Sequence, residues 1–290
     1  MAKLLSGKEV VQTMNESLTK RAADLREQGI VPCLAIVRVG ERGDDIAYEN
    51  GAEKRCEKVG VTVRKFMLAQ DAAQEDLLRV IEAVNSDDRI HGCLLFRPLP
   101  KQFNDEAIRN ALLPEKDVDG ITDGSLAGVY AGTKQGFPPC TPAACMEILD
   151  YYGIETTGKR ATIIGRSLVV GKPAAMMLIQ RNATVTVCHS HSKNLKQECR
   201  EADIIIAAIG HPDFVTADMV KEGAVVIDVG TTRVEDATRK RGWRLNGDVK
   251  FDEVAEKCSF ITPVPGGVGP MTICSLMKNT LAAGKKEYYK

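Results

Sequence analysis

The segment Arg160–Pro173 reads RATIIGRSLVVGKP, and its order decides the fold. The run Arg160 to Ile164 reads as a strand that ends at Gly165; Gly171 follows six residues later, and Pro173 suits the first turn of a helix. A strand, a glycine turn and a helix start aim backbone N–H groups and a helix N-terminus at a phosphate. The turn departs from G-x-G-x-x-G, because Ser167 stands at the middle glycine position. The next strand, Ala183–Cys188, ends roughly 20 residues on, where an NAD site usually carries Asp or Glu for the ribose hydroxyls. Here the residues are His189, Ser190, His191 and Ser192, so no carboxylate repels a 2′-phosphate. Arg166 offers that phosphate a forked donor. The local chemistry therefore leans to NADP, with NAD as the alternative. His189 and His191 form an H-x-H pair with no third ligand near in sequence, and no metal site is expected.

Outward from this segment the chain alternates. Helical periodicity covers 8–28, 44–59, 74–86 and 172–180; short apolar runs at 33–39, 61–67, 92–96, 202–209 and 224–229 read as strands. Strands separated by helices imply parallel βαβ units and an α/β fold. Two breaker runs, GFPPCTP (136–142) and PVPGGVGP (263–270), interrupt the alternation, and 271–290 reads as a final helix with a polar tail. Two domains are expected in 290 residues, with a boundary near the first breaker run.

Composition narrows the function. Lys plus Arg is 39 and Asp plus Glu is 39, so no overall basic field exists to hold nucleic acid or an anionic membrane. Aromatics are 5% with one tryptophan, too few for a base-stacking platform. No stretch approaches the roughly 18 apolar residues of a membrane helix, and the N-terminus lacks a signal-like apolar core, so a cytoplasmic location is expected. Nine cysteines without a C-x-x-C pair read as reduced, buried thiols.

Four strings share one further property. PEKDVDG (114–120), PCTP (139–142), GRSLVVGKP (165–173) and ITPVPGGVGPMT (261–272) resemble, in order and across the chain, the methylenetetrahydrofolate dehydrogenase/methenyltetrahydrofolate cyclohydrolase family. The resemblance implies an N-terminal α/β catalytic domain (1–141 plus 270–290), a Rossmann-type cofactor domain (142–269), a C-terminal helix returning to the first domain, and a homodimer. It implies hydride transfer from 5,10-methylenetetrahydrofolate to the nicotinamide, then water addition to the methenyl product. By position, Tyr48 matches the tyrosine that packs against folate, and Asp119 the aspartate that accepts from the pterin; both enter as catalytic and substrate-binding residues. A carboxylate suits that second task, because it accepts from both N–H groups of an aminopyrimidine edge. Pro265, Gly266 and Gly267 match the loop approaching folate. Gly165, Arg166, Ser167, Gly171, Ser190 and Thr231 form the expected cofactor set.

The sequence departs from the family where proton chemistry occurs. The family pattern is serine, two residues, then Tyr-Val-x-x-Lys; DDIAYENGA puts Asp45 at the serine, Glu49 at the valine and Ala52 at the lysine. The family glutamine of V-Q-L-P is Phe96, followed by Arg97. Residues i and i+4 share a helix face, so tyrosine and lysine would project together; Lys54, six residues from Tyr48, lies about 240° around. Losing an acid/base group costs on the order of 10²–10⁴ in rate. Water addition needs such a group, whereas hydride transfer needs mainly orientation. The reading is a dehydrogenase with weak or lost cyclohydrolase. Its alternatives are a bifunctional enzyme with a substitute group such as Arg97, a folate- or nucleotide-binding paralogue without turnover, and an amino-acid dehydrogenase of related layout. The intact Tyr48, Asp119 and glycine loops count against the paralogue, and the lack of a lysine motif against the last.

Overall fold

The computed structural model describes residues 2–287. The chain opens with β1 (Lys3–Leu4) and α1 (Gly7–Glu27). Next come β2 (Cys33–Val39), α2 (Gly43–Val59), β3 (Thr62–Leu68), α3 (Gln74–Ser86) and β4 (Gly92–Leu95). Three helices follow, α4 (Asp105–Ala111), α5 (Asp123–Ala131) and α6 (Cys140–Tyr151). Alternation resumes with β5 (Arg160–Ile164), α7 (Gly171–Gln180), β6 (Thr184–Cys188), α8 (Leu195–Arg200), β7 (Ile204–Ala207) and β8 (Val225–Asp228). The chain closes through β9 (Thr232–Glu235), β10 (Trp243–Asn246), α9 (Phe251–Ala255), β11 (Phe260–Ile261) and α10 (Gly269–Gly284). The helix expected over 271–290 thus begins two residues earlier, and its expected last three residues lie outside the described range.

These elements form two compact units, Met1–Val11 with Thr141–Thr272 and Gln12–Cys140 with Ile273–Lys290. In the second of these, β3-β2-β4 form a three-stranded parallel sheet, with Cys33–Val39 in register with Thr62–Leu68. β2 sits in the middle with six of its seven residues buried, which explains its near-continuous apolar run. Ala35, Val37 and Val39 pack with Leu77, Ile81 and Val84 of α3 and with Ile108 of α4.

The other unit carries a six-stranded sheet, ordered β1-β11-β8-β7-β5-β6 and parallel throughout, together with the antiparallel hairpin β9–β10. Its core joins Ile205, Ala207, Val226 and Ile261 to Val215, Val220 and Val254. One assignment changes here. Residues 1–11, expected with the first domain, belong to this unit, because Lys3 and Leu4 pair with Phe260 and Ile261 and extend its sheet. A two-residue strand carries no readable periodicity, so the sequence concealed it. Among the described residues, no helix is long and apolar enough to cross a membrane.

Candidate active site

The site residues fall into two sets, one in each unit. The first set begins on α2, whose buried face carries Asp45, Glu49, Ala52, Cys56 and Val59. Ala52 is fully buried, so the position of the family lysine is part of the packed interior. Tyr48 meets Phe96 edge-on, with ring centroids 5.9 Å apart and planes at 84°. The two family departures, at 52 and 96, are thereby filled by apolar packing instead of a lysine–glutamine pair.

Glu49 carries the charge on this face. Its carboxylate accepts from Arg38 Nε at 2.7 Å and from Lys65 Nζ at 2.9 Å, and Lys65 also pairs with Glu53 at 2.6 Å. Burial alone would push the Glu49 carboxyl up, but the hydrogen bonds from Lys65 and Arg38 outweigh it and hold it below its usual value. Sequence reasoning did not assign this cluster. The available signal was Arg38, a lone cation in the buried run CLAIVRV. Asp45 lies one turn earlier, and burial raises its pKa against the pull of Arg42 and Arg38. Lys54 is exposed, and Arg97 is held in a two-pronged pair by Asp105, with Nε to Oδ1 at 2.7 Å and a second contact from Nη2 to Oδ2.

Asp119 sits in the loop between α4 and α5. Asp117, fully buried, shapes that loop by accepting the N–H groups of Ile121 at 3.0 Å and Thr122 at 2.7 Å. Gly120 has φ +71°, and a Cβ there would overlap the backbone at Pro138–Pro139, which is why glycine follows the aspartate. Asp119 is partly open at the surface yet packed round with protein. Burial, reinforced by the charge of Asp117, pushes its carboxyl up to about 7, while Cys140 and Arg97 pull the other way. A carboxyl of this kind can present an acceptor above neutrality and a donor below it.

The second set surrounds the glycine turn. Gly165 has φ +125°, its N–H donates to Cys188 O at 2.9 Å, and a Cβ there would overlap Ala208 O. A Cβ on Gly171 would overlap Gly165 O, so the start of α7 closes directly onto the turn. This bare backbone beside a helix N-terminus fits a dinucleotide pyrophosphate. Arg166 and Ser167 are exposed; Ser167 Oγ accepts the Val170 N–H at 3.1 Å and fixes the turn. The Gly165 bond to Cys188 brings Arg166 to the end of β6, and partial burial of His189 together with the nearby Arg166 holds its imidazole below the usual range. Ser190 is exposed on the same loop, and Thr231 is exposed after β8. The His189 and His191 rings are 6.0 Å apart, and among the described residues no group of three His, Cys, Asp or Glu could hold a metal.

The loop 263–267 packs on the start of α1. Gly7 N–H donates to Gly266 O at 2.9 Å, and a Cβ on Gly267 would stand 2.7 Å from Pro263 O. Pro265 is exposed, Gly266 is partly exposed with φ +114°, and Gly267 is buried.

Comparison with known proteins agrees across the whole chain. Residues 5–119 match the tetrahydrofolate dehydrogenase/cyclohydrolase catalytic domain, and residues 139–288 match that family's NAD(P)-binding domain. A bifunctional protein FolD of Carboxydothermus hydrogenoformans is 51% identical over 283 residues, covering 98% of this chain and 97% of the relative. The crystal structure of a bifunctional FolD from Campylobacter jejuni superposes with a TM-score of 0.94 at 40% identity, over 99% of this chain and 100% of that one. The Trypanosoma brucei FolD, solved with NADP and an inhibitor, gives a TM-score of 0.93 at 35% identity, over 100% of this chain and 99% of that one. With both domains matched in order and the relatives covered end to end, the chain belongs to the tetrahydrofolate dehydrogenase/cyclohydrolase family.

Proposed function

We propose that this protein is a 5,10-methylenetetrahydrofolate dehydrogenase using NADP, with cyclohydrolase activity weak or lost. NADP, when bound, supplies the hydride acceptor. The chain's own residues orient and hold. The Asp119 carboxylate accepts from the aminopyrimidine edge of the pterin, Tyr48 packs against the folate, Pro265, Gly266 and Gly267 offer bare loop backbone to a ligand, and Arg166 and Ser190 pair with the 2′-phosphate. The Gly165–Gly171 turn and Thr231 take the rest of the dinucleotide. As hydride leaves, the folate carbon becomes a cation, and water addition then needs a group that accepts its proton. One observation carries the loss of that step: a fully buried alanine at 52 and an aromatic ring at 96 replace the pair that would handle that proton.

Two assays on one preparation test this. Methylenetetrahydrofolate should reduce NADP faster than NAD. Methenyltetrahydrofolate, followed by its near-ultraviolet absorbance, should decay at the buffer rate; decay well above it would overturn the loss of cyclohydrolase.

The bifunctional reading has support in the relatives, which are named as bifunctional, and in Asp45, a buried carboxyl of raised pKa on the α2 face. It predicts hydrolysis that disappears in Asp45→Asn. Arg97 is a poor base, because arginine stays protonated and Asp105 occupies its fork. We also propose a cytoplasmic homodimer. The open edge of β3, paired on one side only, supports self-association, and sedimentation of the purified chain at twice the monomer mass is the expected result.

A further inference from the structure

A ligand of an open parallel sheet meets the loops beyond the C-terminal strand ends. In the cofactor unit β7 is the neighbour of β5, and β8 is the neighbour of β7. The loops after β7 and β8 leave several backbone N–H groups without strand partners, and two interior carboxylates collect them. Asp248 is fully buried, and its Oδ2 accepts from Ile209 at 2.7 Å and Gly210 at 3.0 Å. Asp228 accepts from Gly230 and Asp248 through Oδ1, each at 2.9 Å, and from Val249 through Oδ2 at 2.9 Å. The fit is tight, since a Cβ on Gly230 would overlap Asp248 Oδ1 and one on Gly247 would overlap Asp228 Oδ2.

Two details point past mere packing. Asp248 Oδ1 is buried with no hydrogen-bond partner, a cost that folding alone would select against. In addition, the loop held by Asp248 is the one that touches the phosphate turn, because Ala208 O fills the space where Gly165 has no Cβ. Hydrogen bonds to Ile209 and Gly210 therefore set where Ala208 stands against Gly165.

We propose that Asp248 is a positioning residue for the dinucleotide: by holding the N–H groups of Ile209 and Gly210 it fixes the 208–210 loop against the Gly165 turn. It acts through backbone and touches no reacting atom. Neither the motif nor the family resemblance singled it out.

The test uses the full chain and NADP alone, so its outcome is separate from that of the folate assays. Asp248→Ala should weaken NADP binding, measured by calorimetry, about tenfold or more, since displacements near 1 Å carry effects of that size. The folate KM should stay within about twofold at saturating NADP, as expected for a residue that acts through the cofactor turn. Asp248→Asn keeps an acceptor for both N–H groups and should bind NADP within about threefold of wild type. Amide exchange gives an independent readout: Ile209 and Gly210 should exchange slowly in the unliganded wild type and rapidly in Asp248→Ala, with Ile163 of β5 slow in both. Wild-type NADP affinity in Asp248→Ala would overturn the proposal, as would equal loss of protection at Ile163. Should that variant fail to fold, two results still overturn it: rapid exchange of Ile209 and Gly210 in the wild type, or loss of NADP binding in folded Asp248→Asn.

Discussion

Position 52 is one helical turn beyond Tyr48, and the methyl group there has no proton to give or take. Restoring Ala52→Lys with Phe96→Gln should create methenyl hydrolysis about 10²-fold or more above the parent, read from the same absorbance decay. Neither change alone should suffice, because Phe96 packs edge-on against Tyr48. Asp119 supplies a second residue-level expectation. Its folded pKa is raised to about 7, chiefly by burial, so the carboxylate needed to accept from the pterin is lost as pH falls below neutrality. The folate KM should rise about tenfold per pH unit below 7, and Asp119→Asn should remove that dependence. The stability sign is opposite. A raised carboxyl pKa favours folding most at pH below its unfolded value of 3.8, and the contribution disappears as pH rises through about 7. At this scale the departures at 52 and 96 were visible in the sequence. The partners of Glu49 were not, because Arg38 and Lys65 come from two strands that only the fold aligns.

Helix α2 contributes its own liability. Glu49 is 5% exposed and neutralises Arg38, whose side chain is 11% exposed. Glu49→Ala would leave that guanidinium buried and unpaired, and should cost about 3 kcal/mol of stability, measured by urea unfolding. The loss should shrink as pH falls below the ordinary carboxyl value of 4.5 and on through the lowered folded pKa of Glu49, where that carboxyl becomes protonated in wild type too. Strands β2 and β5 were legible to the residue, since a buried parallel strand is a short apolar run between turn signals. Helix α6 was not. The sequence PPCTP reads as a breaker, yet Pro142 stands in the first turn of α6, where a missing N–H is no loss. The hairpin β9–β10 also escaped notice, because its strands are four residues each and carry only Val234, Trp243 and Leu245 as apolar side chains.

All nine cysteines are free and buried, and burial pushes the thiols of Cys56 and Cys145 up to about 12. A thiol-specific reagent at pH 8 should label fewer than one cysteine per native chain and all nine after denaturation, the count given by the sequence. The two-domain layout was readable from the breaker runs, but the first strand was not, since its pairing partner is more than 250 residues away. That distant pairing bears on how the molecule is made. Lys3 and Leu4 are translated more than 250 residues before their partners Phe260 and Ile261. The cofactor sheet therefore cannot close at its β1 edge until residue 261 has been made. A nascent chain stalled before residue 260 would carry its opening strand unpaired, a form for chaperones to shelter, and a circular permutant starting at residue 141 would shorten that wait.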